Sequence, residues 1–324
     1  GADGFELNLS CPNEVHGEGG AEGGFNSENK IGMALGQQRE SVRRICQYVR
    51  EATKLPFYAK LTPNVTDITE IARGALEGGA NGVATINTVT GLAKFYPDGT
   101  PLPQLGNEKV VFSGGLSGDQ VRPIALRHIS KIYNMSPETP ILGIGGISSG
   151  DTAIQHIYAG SSVLQLCSSV QRFSYEIVQE VLAGIQFVLY SYSRPDLRAG
   201  LSRHPDMMIL PHIVPASEDS TQDRPVPTIA ELRGTGAKRM VQREDFDHNW
   251  TLNARIDPAK CIKCGKCAMS CRDNSTEAIA RQQDGKWVVN PKKCIGCGLC
   301  ANVCPVYAIQ MTNVAVKKWH HREE

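Results

Sequence analysis

The sequence predicts a parallel α/β domain followed by a small domain organised around cysteines, and three observations carry the prediction. Over residues 1–193, five short apolar segments suited to strands alternate with five amphipathic segments suited to helices. Each of the five strand candidates runs out into polar residues or glycine. Eight of the eleven cysteines are massed between Cys261 and Cys304.

The strand candidates are 5–10, 56–61, 82–87, 140–144 and 162–166, and the helical patterns are 40–53, 68–77, 120–135, 152–159 and 175–192. Strands that repeatedly alternate with helices form βα units and hence a parallel sheet. Such sheets carry ligand chemistry at the C-terminal ends of their strands. The endings here are Asn8-Leu9-Ser10-Cys11, Lys60-Leu61-Thr62, Asn87-Thr88, Gly145-Gly146 and Gln165-Leu166-Cys167-Ser168. One such ending is an ordinary loop start; five in succession mark a site. Residues 194–255 change character. Six prolines and the polar run 217–223 describe an irregular connector, with a short helix at 229–232. The cysteine domain is expected at 256–324, its charged tail 317–324 fraying.

Composition narrows the function classes. With 324 residues the chain accommodates two domains, and 41% hydrophobic against 21% charged residues is ordinary for a globular protein. A formal net charge of +1 gives no electrostatic case for nucleic acid or an anionic membrane. No apolar run has the length of a membrane span. Thiols massed in one segment of a long chain read as a metal site in a reducing compartment, which places the protein in the cytoplasm.

The cysteines form two runs, Cys261-x2-Cys264-x2-Cys267-x3-Cys271 and Cys294-x2-Cys297-x2-Cys300-x3-Cys304-Pro305, offset by 33 residues as an internal repeat. An iron–sulfur cubane needs four thiolates at its corners. Three closely spaced cysteines wrap one face, and the fourth must come from further away. In ferredoxins with two clusters the fourth cysteine of each run serves the other cluster. That pattern assigns Cys261, Cys264, Cys267 and Cys304 to one [4Fe–4S] cluster, and Cys294, Cys297, Cys300 and Cys271 to the other. Gly265, Gly296 and Gly298 allow backbone amides close to the sulfurs. Paired structural zinc sites are the competing reading, but two CxxC pairs satisfy zinc, and eight cysteines in CxxCxxCxxxC runs exceed that need. A two-cluster domain is an electron conduit, and it requires a donor and an acceptor.

The first domain carries a resemblance. Glu6-Leu7-Asn8-Leu9-Ser10-Cys11-Pro12 resembles the segment after the fourth barrel strand of flavin-dependent dihydroorotate and dihydropyrimidine dehydrogenases. Ala59-Lys60-Leu61-Thr62-Pro63-Asn64, Asn87-Thr88-Val89-Thr90-Gly91, Gly114-Gly115-Leu116-Ser117-Gly118, Arg122-Pro123-Ile124-Ala125-Leu126-Arg127 and Gly145-Gly146-Ile147 follow in the family's order. With the double-cluster tail, the chain looks most like the dihydropyrimidine dehydrogenases. The resemblance implies strands four to eight of a (β/α)8 TIM barrel, then a small α+β ferredoxin domain. It further implies FMN and reduction of the C5–C6 double bond of uracil or thymine. Cys11 would supply the proton, since a thiol near its ordinary pKa of about 8.5 is mostly protonated at neutral pH. Asn8, Ser10, Asn87 and Thr88 would hold the pyrimidine, and Lys60 the flavin N1/O2 edge. Gly114, Gly115, Gly145, Gly146, Cys167 and Ser168 would lie at the phosphate. Cys46, inside a helical pattern, is expected to be a buried hydrophobe.

Two departures from the family qualify the resemblance. The loop after Cys11-Pro12 spans 13–30, about ten residues longer than the family's, with His16 displaced. The first three strands are absent, as are the upstream domains that in this family bind FAD, NADPH and further clusters. With no initiator methionine, the chain is expected to be a C-terminal portion, inactive alone and homodimeric in its full-length form. Two alternatives stay open: a dihydroorotate dehydrogenase fused to a ferredoxin, and an electron-transfer protein whose barrel remnant only docks a partner.

Overall fold

The computed structural model describes residues 1–9, 33–102, 107, 111, 113–194, 225–242, 244–247 and 250–315. Two compact units emerge, Gly1–Tyr190 with Val226–Met240, and Ser191–Pro225 with Val241–Glu324. Among the described residues no helix is long and apolar enough to cross a membrane.

The first unit is built on strands β1 (Phe5–Asn8), β2 (Phe57–Lys60) and β3 (Gly82–Thr85). Short strands follow, β4 (Val89–Gly91), β5 (Lys94–Phe95), β6 (Pro101–Leu102) and β7 (Gly114–Leu116), and then β8 (Ile141–Ile144) and β9 (Val163–Gln165). The main sheet has the order β1-β2-β3-β8-β9, and every pairing in it is parallel. All five expected strands are present, each a little shorter than its apolar segment. Strand order follows chain order, with helices at each crossover: α1 (Met33–Gly36) and α2 (Arg39–Ala52), α3 (Ile68–Glu77), α4 (Arg122–Met135), and α5 (Gly150–Ala159). This is the singly wound arrangement of a β/α barrel.

The strands are read on two faces. Phe57 and Ala59 of β2, Val83 of β3 and Ile141 of β8 are fully buried against Val42 and Cys46 of α2, Ile68 and Ala72 of α3, and Ile129 of α4. Cys46 is thus the buried hydrophobe its helical pattern implies, and burial pushes its thiol up to about 11. The opposite face carries Glu6, Asn8 and Lys60. Although β1 and β9 are the two edges of the sheet, Gln165 Nε2 donates to Glu6 Oε2 at 2.8 Å. Strand twist has curled the sheet until its first and last strands share a hydrogen bond across the concave face.

Helix ends follow local chemistry. Asp67 accepts from the Thr69 amide at the start of α3, and Ser149 with Thr152 forms a reciprocal capping box at α5. Two histidines sit in this helical layer. His156 is fully buried, with Nδ1 2.9 Å from the Thr152 carbonyl, and His128 is 3% exposed. Burial pushes both imidazoles down to about 4. The unfolded chain takes up these protons at its ordinary value of about 6.5. Stability is therefore complete above pH 6.5 and is lost as pH falls from 6.5 towards 4. A urea midpoint followed across that window is expected to fall, and to fall less steeply in His128→Gln.

After α6 (Ser168–Phe173) and α7 (Glu176–Ser191) comes the stretch expected to be an irregular connector. Its described residues are not one connector. Val226–Met240 belongs to the first unit, and the strand at 250–256 belongs to the second. The short helix α8 (Ile229–Leu232) occurs where expected, with a capping box from Thr228 and Glu231. It delivers Arg233, whose guanidinium donates to the carbonyls of Gly160, Pro137 and Thr139, each at 2.9 Å, and stacks 5.1 Å from the Tyr133 ring. A hydrogen bond from a charged group contributes about 1.5–3 kcal/mol, and three on one fork are not additive. Arg233→Ala is expected to destabilise the first unit by about 3 kcal/mol in chemical denaturation.

The second unit pairs β10 (Trp250–Ile256) with β13 (Ile309–Ala315), antiparallel, so that its first and last strands close it. Between them lie α9 (Lys266–Asp273), the hairpin β11 (Ile279–Arg281) with β12 (Trp287–Val289), and α10 (Leu299–Asn302). Ala254, Ile279, Ala301, Ile309 and Met311 form its core together with Cys267, Cys271 and Cys300. The repeat extends to the backbone. Lys263 and Gly296 both have positive φ, 60° and 71°, as do Gly265 and Gly298, 81° and 78°. Lys263 adopts a conformation that L-residues rarely take, because its place in the loop demands it.

Candidate functional site

The concave face of the first unit holds a cavity of about 260 Å³ at the C-terminal ends of β2, β3, β8 and β9. Its walls include Lys60, Asn87, Thr88, Gly145, Gly146, Cys167 and Ser168, all singled out from the sequence. Asn8 joins the group through Asn87, whose Nδ2 donates to Asn8 Oδ1 at 3.1 Å. Ser10 and Cys11, with the loop 13–30, lie outside the described residues.

Charge in the cavity is organised by Glu6. Lys60 Nζ lies 2.8 Å from Glu6 Oε1, with the lysine side chain 12% exposed, while Glu6 Oε2 accepts from Gln165. The ion pair holds the ammonium between β1 and β2. Asn64 secures the next loop: its amide donates to the Thr88 carbonyl at 3.2 Å, and its Oδ1 accepts from the Thr90 amide at 2.9 Å. Two buried oxygens of residues lining the cavity, Thr88 Oγ1 and Gln165 Oε1, have no hydrogen-bond partner among the described residues. Buried polar atoms are nearly always paired, so these two are ready for a ligand with polar edges.

The β8 and β9 ends form a tighter wall. Gly145 and Gly146 have φ of 130° and 73°, and a Cβ on Gly146 would collide with Arg122. Arg122 Nη1 donates to the Gly146 carbonyl at 3.1 Å, and Ser168 Oγ donates to Ser117 Oγ at 3.0 Å. Glycine is required here because the backbone itself is the wall. Gly114 and Gly115 stand just outside this wall. They sit in β7, opposite Gly91 and Thr90 of β4, and are not among the cavity's lining residues. A Cβ on Gly115 would strike the Thr88 side chain, so that glycine is needed for close packing behind the site.

A lysine-held cation, unpaired carbonyl and hydroxyl oxygens, and a glycine wall beside serines fit a polar heterocycle carrying an anionic tail, as FMN does. Glu6, Gln165, Asn64 and Ser117 stand in motifs that the sequence offers, but the motifs alone give them no role. The alternation in Phe5-Glu6-Leu7-Asn8 places Glu6 on the same face as Asn8, and that signal could have revealed it.

In the second unit the thiols surround two cavities. One is lined by Cys261, Cys264, Cys267 and Cys304; the other by Cys271, Cys294, Cys297 and Cys300. Each cage takes three cysteines from one run and the fourth from the other. Among the described residues no three Cys, His, Asp or Glu side chains converge closely enough to hold a single ion. Thiols set around a volume suit a cluster rather than zinc. Burial, then repulsion from Cys294 and Cys297, pushes the Cys300 thiol up to about 12, and burial first of all raises Cys267. Iron binding would relieve that cost by neutralising the thiolates.

The comparisons agree with both halves. Residues 1–189 match the dihydroorotate dehydrogenase family, and residues 254–311 match the 4Fe-4S dicluster domain. The Escherichia coli (strain K12) NAD-dependent dihydropyrimidine dehydrogenase subunit PreA is 31% identical over 322 residues, covering 98% of this chain and 67% of that protein. The catalytic subunit of dihydroorotate dehydrogenase B (NAD(+)) from Pyrococcus abyssi is 39% identical over 185 residues, 57% of this chain and 54% of its own. Dihydroorotate dehydrogenase A (fumarate) from Limosilactobacillus reuteri is 40% identical over 167 residues, 51% of this chain and 47% of its own. A curled β/α sheet with a polar cofactor cavity, joined to a dicluster domain, defines a flavin-dependent oxidoreductase. The chain belongs to the dihydroorotate dehydrogenase family and carries a 4Fe-4S dicluster domain behind its barrel unit.

Proposed function

We propose that the protein is the pyrimidine-reducing part of a dihydropyrimidine dehydrogenase, converting uracil or thymine to the 5,6-dihydro form. The observation that carries this reading is the joining, in one cavity, of Lys60, Thr88, Gln165 and Asn87, with Asn8 bonded to Asn87, in a chain that also holds two complete thiol cages. Similarity to a dihydropyrimidine dehydrogenase subunit along 98% of the chain supports it.

FMN, when bound, supplies hydride chemistry to one carbon of the double bond. The chain's own residues do the rest. Lys60, ion-paired with Glu6, would hold the flavin N1/O2 edge, where a cation would favour the reduced anionic form. Asn8, Ser10, Asn87 and Thr88 bind the pyrimidine's alternating donors and acceptors through amide and hydroxyl groups that can serve either role. Cys11 carries the proton for the other carbon at its Sγ. The Gly145-Gly146 backbone, with Cys167 and Ser168, takes the phosphate end.

The two thiol cages would hold the clusters, which would supply one-electron carriage from a partner portion oxidising a nicotinamide dinucleotide with FAD. The resemblance points to NADPH, whereas the Escherichia coli relative is named as NAD-dependent, and the E. coli protein is itself a subunit. A cytoplasmic homodimer is the expected setting. A second reading has one specific observation in its favour: over stretches of 185 and 167 residues the dihydroorotate dehydrogenases are 39% and 40% identical to this chain. Turnover separates the two. With its electron-donating portion, the protein is expected to consume uracil and leave orotate untouched. Orotate reduction without uracil reduction would transfer the chain to the second reading.

A further inference from the structure

We propose that the cage of Cys271, Cys294, Cys297 and Cys300 is built to hold an electron more tightly than the other, through two side chains outside its ligand set, Thr276 and Asn274. The inference rests on the reading of the cages as two [4Fe–4S] sites.

The repeat makes the comparison internal. The two binding loops share their left-handed positions, and each has one matching backbone donor to its fourth cysteine. The Ala278 amide donates to Cys271 Sγ, and the Ala308 amide to Cys304 Sγ, both at 3.2 Å. Side chains break the symmetry. Thr276 Oγ1 lies 3.1 Å from Cys271 Sγ, and Asn274 Nδ2 lies 3.5 Å from Cys297 Sγ. Among the described residues no side chain donates to a sulfur of the other cage; its donors are backbone amides, Ala308 to Cys304 and Ala268 to Cys267, the latter matched in the second cage by Ala301 at Cys300. The reason is a length difference. The path from Cys271 to its amide donor Ala278 is three residues longer than the path from Cys304 to Ala308, and the extra turn carries both polar side chains.

Hydrogen bonds to ligand sulfurs favour the reduced, more negative state of a cluster and raise its potential. The Thr276 hydroxyl has a second acceptor, the Cys271 carbonyl at 3.1 Å, but the charge on a ligated sulfur makes it the stronger one, more so after reduction. The opposing influence is a set of lysines, Lys260, Lys263 and Lys266, along the first run. All three are exposed, so solvent and salt screen them, while a donor in contact with sulfur is not screened in this way. One electron passing from the first cluster to the second oxidises the one as it reduces the other, with no proton moved. The second cluster is then where it rests.

The test is a redox titration of the whole chain, reconstituted anaerobically, counted for iron and sulfide and followed by electron paramagnetic resonance. Two one-electron steps are expected. Thr276→Val and Asn274→Ala should each shift the higher step down by about tenfold in its reduction constant, about 59 mV for one electron, leaving the lower step in place. Thr276→Ser keeps the hydroxyl and should restore the step, which a purely structural role would not predict. Eight irons with both steps unmoved, or movement of the lower step, overturns this inference alone. Fewer than eight irons in the unaltered chain overturns the cluster reading, and this inference with it. Should Thr276→Val load poorly, the exposed Asn274→Ala carries the measurement.

Discussion

Replacing Cys11 with alanine should lower pyrimidine turnover by about 10²–10⁴-fold while flavin stays bound, because general acid catalysis is worth that much when the acid is removed. Carbanion character left at the second carbon needs a proton, and a thiol with an ordinary pKa holds one at neutral pH. Serine at position 11 tests the same point from another side, since an alcohol gives up its proton far less readily than a thiol. Cys46→Ala is the matched control. Cys46 is buried among apolar helix residues, and its thiol is pushed up to about 11, so the change should affect packing slightly and turnover hardly at all. Rates are read with uracil, in the assembly that includes the electron-donating portion. A near-normal rate for Cys11→Ala would remove the residue from the chemistry and leave Lys60 or water to deliver the proton.

The second large effect is the loss of one whole cluster. The unaltered chain, reconstituted under anaerobic conditions, is expected to hold about eight irons and eight sulfides. Cys271→Ala should reduce that to about four, although three of the four cysteines in its own run remain intact around the other cage. Double variants decide which cage has gone. Cys271→Ala combined with Cys294→Ala should lose no more iron than either change alone, because both residues line one cavity. Combined with Cys261→Ala, it should lose nearly all the iron. The opposite pattern would mean that each run binds its own cluster and that the cavities mislead.

Much of this architecture was legible in the sequence, for reasons that particular residues make plain. The alternation of short apolar segments with amphipathic ones located all five sheet strands and five crossover or flanking helices, and the 68–77 pattern matched α3 at both ends. Cysteine spacing went further, because a fixed ligand count and a three-plus-one geometry constrain pairing more than hydropathy does. What stayed hidden was long-range. Gly114-Gly115 looked like a phosphate turn, yet its tight packing is against Thr88, a relation that no local pattern encodes. The proline-rich stretch looked uniform, yet Arg233 docks part of it onto three backbone carbonyls of the first unit. The role of Glu6 is set by tertiary contacts and not by its own segment. Its partners, Lys60 and Gln165, are 54 and 159 residues away in the chain.

The exchange of fourth cysteines between the two runs has a consequence for how such a domain could have arisen. Either half, cut from the other, keeps three ligands of one cage and a single ligand of its neighbour. A lone half therefore completes no cubane by itself. Two identical copies would complete two, each lending its last thiol to the other, in a pair related by a twofold axis. Gene duplication and fusion of that pair would preserve every iron–thiolate bond from the start. It would also free the copies to diverge, and the present halves have done so. One holds lysines at positions 263 and 266 where the other has Gly296 and Leu299.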